Sequence, residues 1–155
     1  MVPVACVVDS SVGIKLFLAE TLSDRADALF AHLASDPPGQ ISVPDLFYIE
    51  CANILWKHAR RSAYPADKAR KALTNLGELA LRRFPTANLM VQAFDVADKQ
   101  SITAYDACYA ALARQLAVPL VTADDKLARA LSGATYQVQW LGDFPIPPVQ
   151  PRPHN

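Results

Sequence analysis

Four acids in this chain sit where acids are not expected. Asp9 closes the apolar run Pro3-Val4-Ala5-Cys6-Val7-Val8, and Glu50 lies within Leu46-Phe47-Tyr48-Ile49-Glu50-Cys51-Ala52. Asp106 precedes Ala107-Cys108-Tyr109-Ala110-Ala111-Leu112, and Asp124 directly follows Pro119-Leu120-Val121-Thr122-Ala123. Carboxylates brought together in apolar surroundings repel, so some must take up protons or a cation must neutralise them. Oxygen donors without histidine or cysteine suit a hard ion such as Mg²⁺ or Mn²⁺. Such an ion keeps several waters, can activate one as a nucleophile, and can stabilise charge developing on a phosphate. Each acid alone also has an ordinary reading. Asp106 and Asp124 suit helix N-caps or first turns, Asp9 could cap a helix beside Ser10, and Glu50 could pair with Lys57. The ordinary reading needs all four explanations at once.

The elements that would carry these acids follow from apolar spacing. Val4 to Val8 reads as a buried strand, after which Ser10 caps a helix running through Leu18. Ser23 opens a second helix, Asp36-Pro37-Pro38-Gly39 breaks it, and Ile41-Ser42-Val43 forms a second strand. Pro44 suits the first turn of a helix over about Asp45 to Arg61. Another helix covers roughly Ala66 to Arg82, with a short extended piece around Phe84-Pro85-Thr86. Helices at about Asn88–Lys99 and Tyr105–Leu116 follow, then a strand at Pro119–Thr122, a short helix at Asp124–Leu131 and a last strand at Tyr136–Leu141. Short apolar strands alternating with helices predict an α/β fold with a central, mainly parallel sheet flanked by helices. Asp9 and Asp124 then fall at the carboxyl ends of strands, where open α/β sheets bind ligands.

The whole chain is 155 residues and 52% hydrophobic, which suits one domain and excludes a disordered chain. Five of its twelve prolines lie from Pro145 to Pro153, so residues 1–144 form the expected domain and 145–155 an extended tail. Cys6, Cys51 and Cys108 have neither disulfide-framework nor zinc spacing and read as small buried hydrophobes. The N-terminal apolar run is too short for a signal segment, and no stretch approaches the roughly 18 apolar residues of a membrane span. A cytoplasmic protein is expected. His32 and His58 take surface-like helical positions, and His154 lies in the tail.

Fifteen Lys+Arg balance fifteen Asp+Glu, which excludes a generally basic nucleic-acid coat. The balance is uneven along the chain. Residues 57–83 hold Lys57, Arg60, Arg61, Lys68, Arg70, Lys71, Arg82 and Arg83 against Asp67 and Glu78. Such a basic helical pair can track a phosphate backbone, although charged helix faces are also common solvated surfaces.

Four segments together resemble a known family. They are Val7-Val8-Asp9-Ser10-Ser11, then Pro44 through Asn53, then Thr103-Ala104-Tyr105-Asp106-Ala107-Cys108-Tyr109, then Leu120-Val121-Thr122-Ala123-Asp124-Asp125-Lys126-Leu127. In this order, over about residues 4–142, they resemble the PIN-domain ribonucleases, and within them the VapC toxins of bacterial and archaeal toxin–antitoxin pairs. The resemblance implies a PIN-like fold with an acidic metal pocket at one end of the sheet. It makes Asp9, Glu50, Asp106 and Asp124 the catalytic acids, with Asp9 and Asp106 as direct ligands to Mg²⁺ or Mn²⁺. Glu50 and Asp124 would hold metal-bound waters and help deprotonate the attacking one. Ser10 and Thr122 would supply supporting hydroxyls and Asn53 would back Glu50, while Asp125 is expected to point away.

The implied reaction is hydrolysis of an RNA phosphodiester to a 5′-phosphate and a 3′-hydroxyl. The implied partners are RNA, a VapB-type antitoxin and a second copy of the chain, with apolar faces of the early helices as candidates for that contact. A haloacid-dehalogenase-like phosphatase would want an acid where Ser11 stands, and a receiver domain would want an acid pair before the first helix. The remaining alternative is a PIN-like module that binds RNA or protein without cutting.

Overall fold

The run Ala5-Cys6-Val7-Val8 is buried along nearly its whole length, as a strand covered on both faces requires. It forms β1 (Ala5–Val8), the middle of a five-stranded sheet. The computed structural model describes residues 2–133 and 135–150. The other strands are β2 (Gln40–Pro44), β3 (Arg82–Phe84), β4 (Leu120–Thr122) and β5 (Val138–Trp140), in spatial order β3-β2-β1-β4-β5. Every pairing is parallel, with Cys6 opposite Ile41 and Val8 opposite Val121. The chain moves outward from β1 through β2 to β3, then crosses back to place β4 on the other side of β1. A topological switch therefore lies between β1 and β4, and crevices outside the carboxyl ends of strands open at such points.

Among the described residues seven helices surround this sheet: α1 (Ser10–Gly13), α2 (Ser23–Phe30), α3 (Leu46–Arg61), α4 (Ala66–Glu78), α5 (Met90–Gln100), α6 (Ala104–Leu116) and α7 (Asp125–Leu131). Helix α6 lies against β1, β2 and β4, and α5 packs over it, while α3 packs between α1 and α4. From Ala107 to Ala113 every residue of α6 is buried. A helix apolar all round is one enclosed by sheet and neighbouring helix together. The three cysteines are buried free thiols, as expected. Burial pushes the Cys6 thiol up to about 12 and the Cys51 and Cys108 thiols up as well, so none is poised as a thiolate.

Several sequence expectations shift. The first helix is capped by Asp9 rather than Ser10, runs only four residues, and tightens into a 3₁₀ turn at Ile14–Leu16. Pro44 ends β2 opposite Phe84 instead of opening α3. The Asp45 N–H donates to the Phe84 carbonyl at 2.9 Å, so pairing continues past a residue that has no N–H to give. Helix α4 stops at Glu78 rather than Arg82 because Leu79 turns extended. Leu81 then enters the core and Arg82–Phe84 adds to the sheet edge. Strand pairing and burial there outweigh helix propensity, which is only tenths of a kcal/mol per residue, about 0 to 0.7. His32 is buried rather than exposed, and its Nε2 donates to the Pro147 carbonyl at 2.7 Å. Arg25 donates to the carbonyls of Leu141 and Phe144, so the chain around residues 141–147 lies along α2 and the turn after it. Residues 145–150 carry no regular structure; residues 151–155, with His154, lie outside the described residues.

The crossing of α1 over α3 depends on Gly13. A Cβ there would stand 2.5 Å from Cζ and 2.6 Å from Cε2 of Phe47. Phe47 is fully buried, so its ring can give way only by displacing its core neighbours. Gly13→Ala gains at most about 1 kcal/mol of helix propensity, while overpacking a core costs about 1–3 kcal/mol. Urea denaturation should therefore show a net loss of about 1–2 kcal/mol, partly restored by adding Phe47→Leu.

Candidate active site

Because Val8 pairs with Val121, the next residues on each strand, Asp9 and Thr122, emerge side by side at the switch point. Asp9 is only 4% exposed. Both of its oxygens are held: Ser11 Oγ donates to Oδ1 and Thr122 Oγ1 to Oδ2, each at 2.5 Å, and the Val12 N–H reaches Oδ1 at 3.3 Å. Ser11 Oγ accepts from the Ala123 N–H at 2.9 Å, and Thr122 Oγ1 from the Asp124 N–H at 3.0 Å. One small network thus ties the end of β1 to the end of β4 and to the turn that carries Asp124.

The other acids arrive on helices. Glu50 projects from α3 and is half-buried, with Oε1 accepting from the Tyr109 hydroxyl at 2.5 Å rather than pairing with Lys57. Tyr109 lies on α6 one turn beyond Asp106, so one hydrogen bond joins the two helices that carry Glu50 and Asp106. Burial and the Glu50 charge push the Tyr109 hydroxyl well above its usual range, which keeps it a donor. Asp106 sits in the first turn of α6, whose N-cap is Thr103: its Oγ1 accepts the Asp106 N–H at 3.1 Å. Asp124 caps α7, accepting from the Leu127 N–H at 3.1 Å. Asp106 and Asp124 share the wall of a cavity of about 320 Å³ with Lys126.

The acids act on one another through charge. Burial lifts the Asp9 carboxyl from its ordinary 3.8 to about 6 against the pull of its three donors, with the Asp106 charge adding to the rise. Glu50 is raised by burial, a rise opposed by the Tyr109 hydrogen bond and reinforced by Asp106. Asp106 is raised by burial and then by Asp124. Asp106 is therefore the hub of the group. Among the described residues none of the four forms an ion pair with a lysine or arginine. No three side chains among the described residues already form a ready-made ligand cage. An all-oxygen donor set whose mutual repulsion is not relieved by any ion pair among the described residues fits a hard divalent cation.

The structure brings Asp9, Glu50, Asp106 and Asp124 to one end of the sheet. It also places Thr122 on Asp9, as the motif order implies. Ser10 makes no side-chain hydrogen bond among the described residues; Ser11 takes the role expected of it. Asn53 is exposed and unbonded to Glu50. Asp125 points away, paired with Arg129 at 3.0 Å. Sequence reasoning missed Ser11 and Tyr109. Each had a usable signal: Ser11 shares a tight turn with Asp9, and Tyr109 follows Asp106 by three residues, hence on the same helical face.

The eight bases of residues 57–83 are all exposed, but Arg82 and Arg83 belong to edge strand β3 rather than to a helix. Arg70 is engaged by Asp67 at 2.8 Å and Arg83 donates to the Gly77 carbonyl. Among the described residues no helix is long and apolar enough to cross a membrane.

A family model described as PIN domain matches residues 6–131. Ribonuclease VapC3 of Pyrobaculum aerophilum is 37% identical over 124 residues, which cover 79% of this chain and 91% of that protein. Two solved structures share the fold. PAE2754 from Pyrobaculum aerophilum superposes with a TM-score of 0.63 at 24% identity, covering 91% of this chain and 93% of that one. A toxin–antitoxin complex from Klebsiella pneumoniae gives a TM-score of 0.57 at 16% identity, covering 86% of this chain and 95% of that one.

The acid cluster has a measurable signature in the metal-free protein. Asp9 binds its proton more tightly when folded, near 6, than at its ordinary 3.8, so its contribution is complete below pH 4. That contribution is lost as pH rises through 6, amounting to about 2–3 kcal/mol. In EDTA, wild-type stability measured by denaturant should fall between pH 4 and 7 more steeply than that of Asp9→Asn. Parallel curves would mean that Asp9 ionises without penalty.

Proposed function

The chain belongs to the PIN-domain family, and from that premise we propose that it is a metal-dependent endoribonuclease of the VapC type. In this reading it is the toxin of a toxin–antitoxin pair. The observation that carries the reading is the convergence of four carboxylates, one of them buried, on one sheet end, with none of them ion-paired to a basic side chain among the described residues. Asp9 and Asp106 would hold Mg²⁺ or Mn²⁺, with Glu50 and Asp124 facing its waters. Bound there, the ion would supply the positive charge that lets the carboxylates ionise together and that stabilises charge on a phosphate.

This chain's residues would then do the following. Ser11, Thr122 and the Val12 N–H hold Asp9 in one rotamer, so its lone pairs present a fixed direction. Tyr109 occupies Oε1 of Glu50, leaving Oε2 to take a proton from the attacking water. A bond forms between that water's oxygen and phosphorus, the P–O3′ bond breaks, and O3′ leaves to become a hydroxyl after taking up a proton. Among the described residues no histidine stands with the four acids, which disfavours attack by the ribose 2′-hydroxyl with histidine as base. The exposed lysines and arginines of α3, α4 and β3 would hold the RNA backbone by phosphate contacts.

The partner in this reading is a VapB-type antitoxin, supported by the VapC relative and by the motif order of the chain. A homodimer is supported by Ile49, Trp56, Met90, Val91, Phe94 and Tyr105, large side chains exposed on α3, α5 and α6. Those positions stand beside the apolar faces of the early helices as candidate contacts. A cytoplasmic location accords with this function.

Asp9→Asn and Asp106→Asn should each lower cleavage of RNA by about 10²–10⁴-fold, and EDTA should abolish wild-type cleavage until Mn²⁺ is restored. Full activity in either variant or in chelator would sink the assignment. A chain that binds RNA but cuts none in either metal would be the non-cleaving module instead. The product of the gene immediately upstream, coexpressed, should co-purify and inhibit.

A further inference from the structure

The cavity beside Asp106 and Asp124 is larger than a metal site needs, and its remaining walls have a different chemistry. It extends over Ile102, Leu127 and Ala130, with Lys126 and Ser101 at its polar edges, and holds about 320 Å³. That volume is at the lower end of small-ligand pockets, which run from about 300 to 1,000 Å³. Leu127 is buried and gives one wall a fixed surface. We propose that this cavity is a nucleotide subsite, receiving one unstacked base next to the scissile phosphate while Lys126 contacts the adjoining phosphate. The proposal rests on the ribonuclease reading above.

Three features carry it. Lys126 is exposed and makes no ion pair among the described residues, even though two carboxylates share its cavity. The acid next to it in sequence, Asp125, is engaged by Arg129 instead. A polyanion entering a cavity that holds Asp106 and Asp124 meets repulsion, and an unengaged ammonium at the edge offsets it. The walls of Ile102, Leu127 and Ala130 are apolar, as a stacked or slotted base face requires, and Ser101 borders them. Ser101 is held at φ 55° and ψ 44°, a left-handed conformation that is unfavourable for a residue other than glycine. A slot of this size admits a base only after it has left its stack, which selects single-stranded or looped RNA.

The test pairs binding with cleavage on the full chain. Labelled single-stranded homopolymers of A, C and U are titrated in EDTA against wild type, Lys126→Gln, Ala130→Phe and Ser101→Gly. Ends cut from a randomised single-stranded RNA in Mn²⁺ are sequenced in parallel, reading the bases that flank each cut rather than the rate. Wild type should show a base preference at one flanking position. Lys126→Gln should weaken all three homopolymers roughly threefold to tenfold and lower the salt slope by about one. Ala130→Phe, which fills the slot, should erase the preference. Ser101→Gly should reduce the preference while keeping or raising the melting temperature, and it carries the test if Ala130→Phe does not fold. A wild type without preference, or an unchanged salt slope in Lys126→Gln with unchanged preference in both slot variants, overturns the subsite. If no RNA is cut in Mg²⁺ or Mn²⁺ but homopolymer binding responds to the variants as stated, the ribonuclease reading fails and the subsite stands.

Discussion

The structure depends on a carboxylate kept almost out of water at the end of its central strand. Asp9 could have been solvated by a displacement of one residue; instead two hydroxyls and a backbone N–H hold it within the sheet's end. Those three donors favour the charged form, yet burial wins and the proton is held to about pH 6. The native state thus carries a penalty that a cation in the right place would relieve. Burial of a charge without a partner is among the costlier things a fold can do, so a local function is the reasonable account of its persistence.

The rest of the architecture keeps that carboxylate in company. The parallel register puts Thr122 beside it, and the reversal of strand order between β1 and β4 leaves a crevice rather than a packed seam. Helix α6 must be buried from Ala107 onward to cover three strands, which brings its first turn, with Asp106, to the same end. Helix α3 is held close to α1 because Gly13 has no side chain to meet Phe47. Tyr109 then spans from α6 to Glu50. Each of these is a packing solution, and each has an electrostatic consequence, since charges in a poorly hydrated crevice feel one another more strongly than at the surface.

Within the balance of fifteen bases and fifteen acids, two groups stand apart in space. Four acids gather at the crevice, while eight bases from α3, α4 and β3 stay exposed. Lys126 is the exception, a base inside the acidic region. In the proposed function this arrangement would serve a polyanionic substrate, offering a positive surface on which to land and a negative site that a metal would convert to a positive one.

Much of this was legible in the primary sequence. The order of strands and helices, the parallel sheet, and the four acids all followed from period and from the oddity of charge within apolar runs, because both signals are local. Element ends were less legible: Arg82 and Arg83 continue a helical pattern but pair with β2, and Pro44 reads as a helix start but ends a strand. Local propensity differs by fractions of a kcal/mol there, and the decision passes to burial and to neighbouring strands. His32 looked like surface until the chain near Pro147 covered it. The partners of the acids were legible as nearby candidates but not as bonds. Ser11, rather than Ser10, bonds Asp9 because the turn after β1 orients it so, and Tyr109, rather than Lys57, bonds Glu50 because a bond across 59 residues of sequence is chosen by how helices pack. The sequence alone determined which atoms could bear charge; the tertiary structure decided how near those charges stand, since only packing sets the distances on which electrostatics depends.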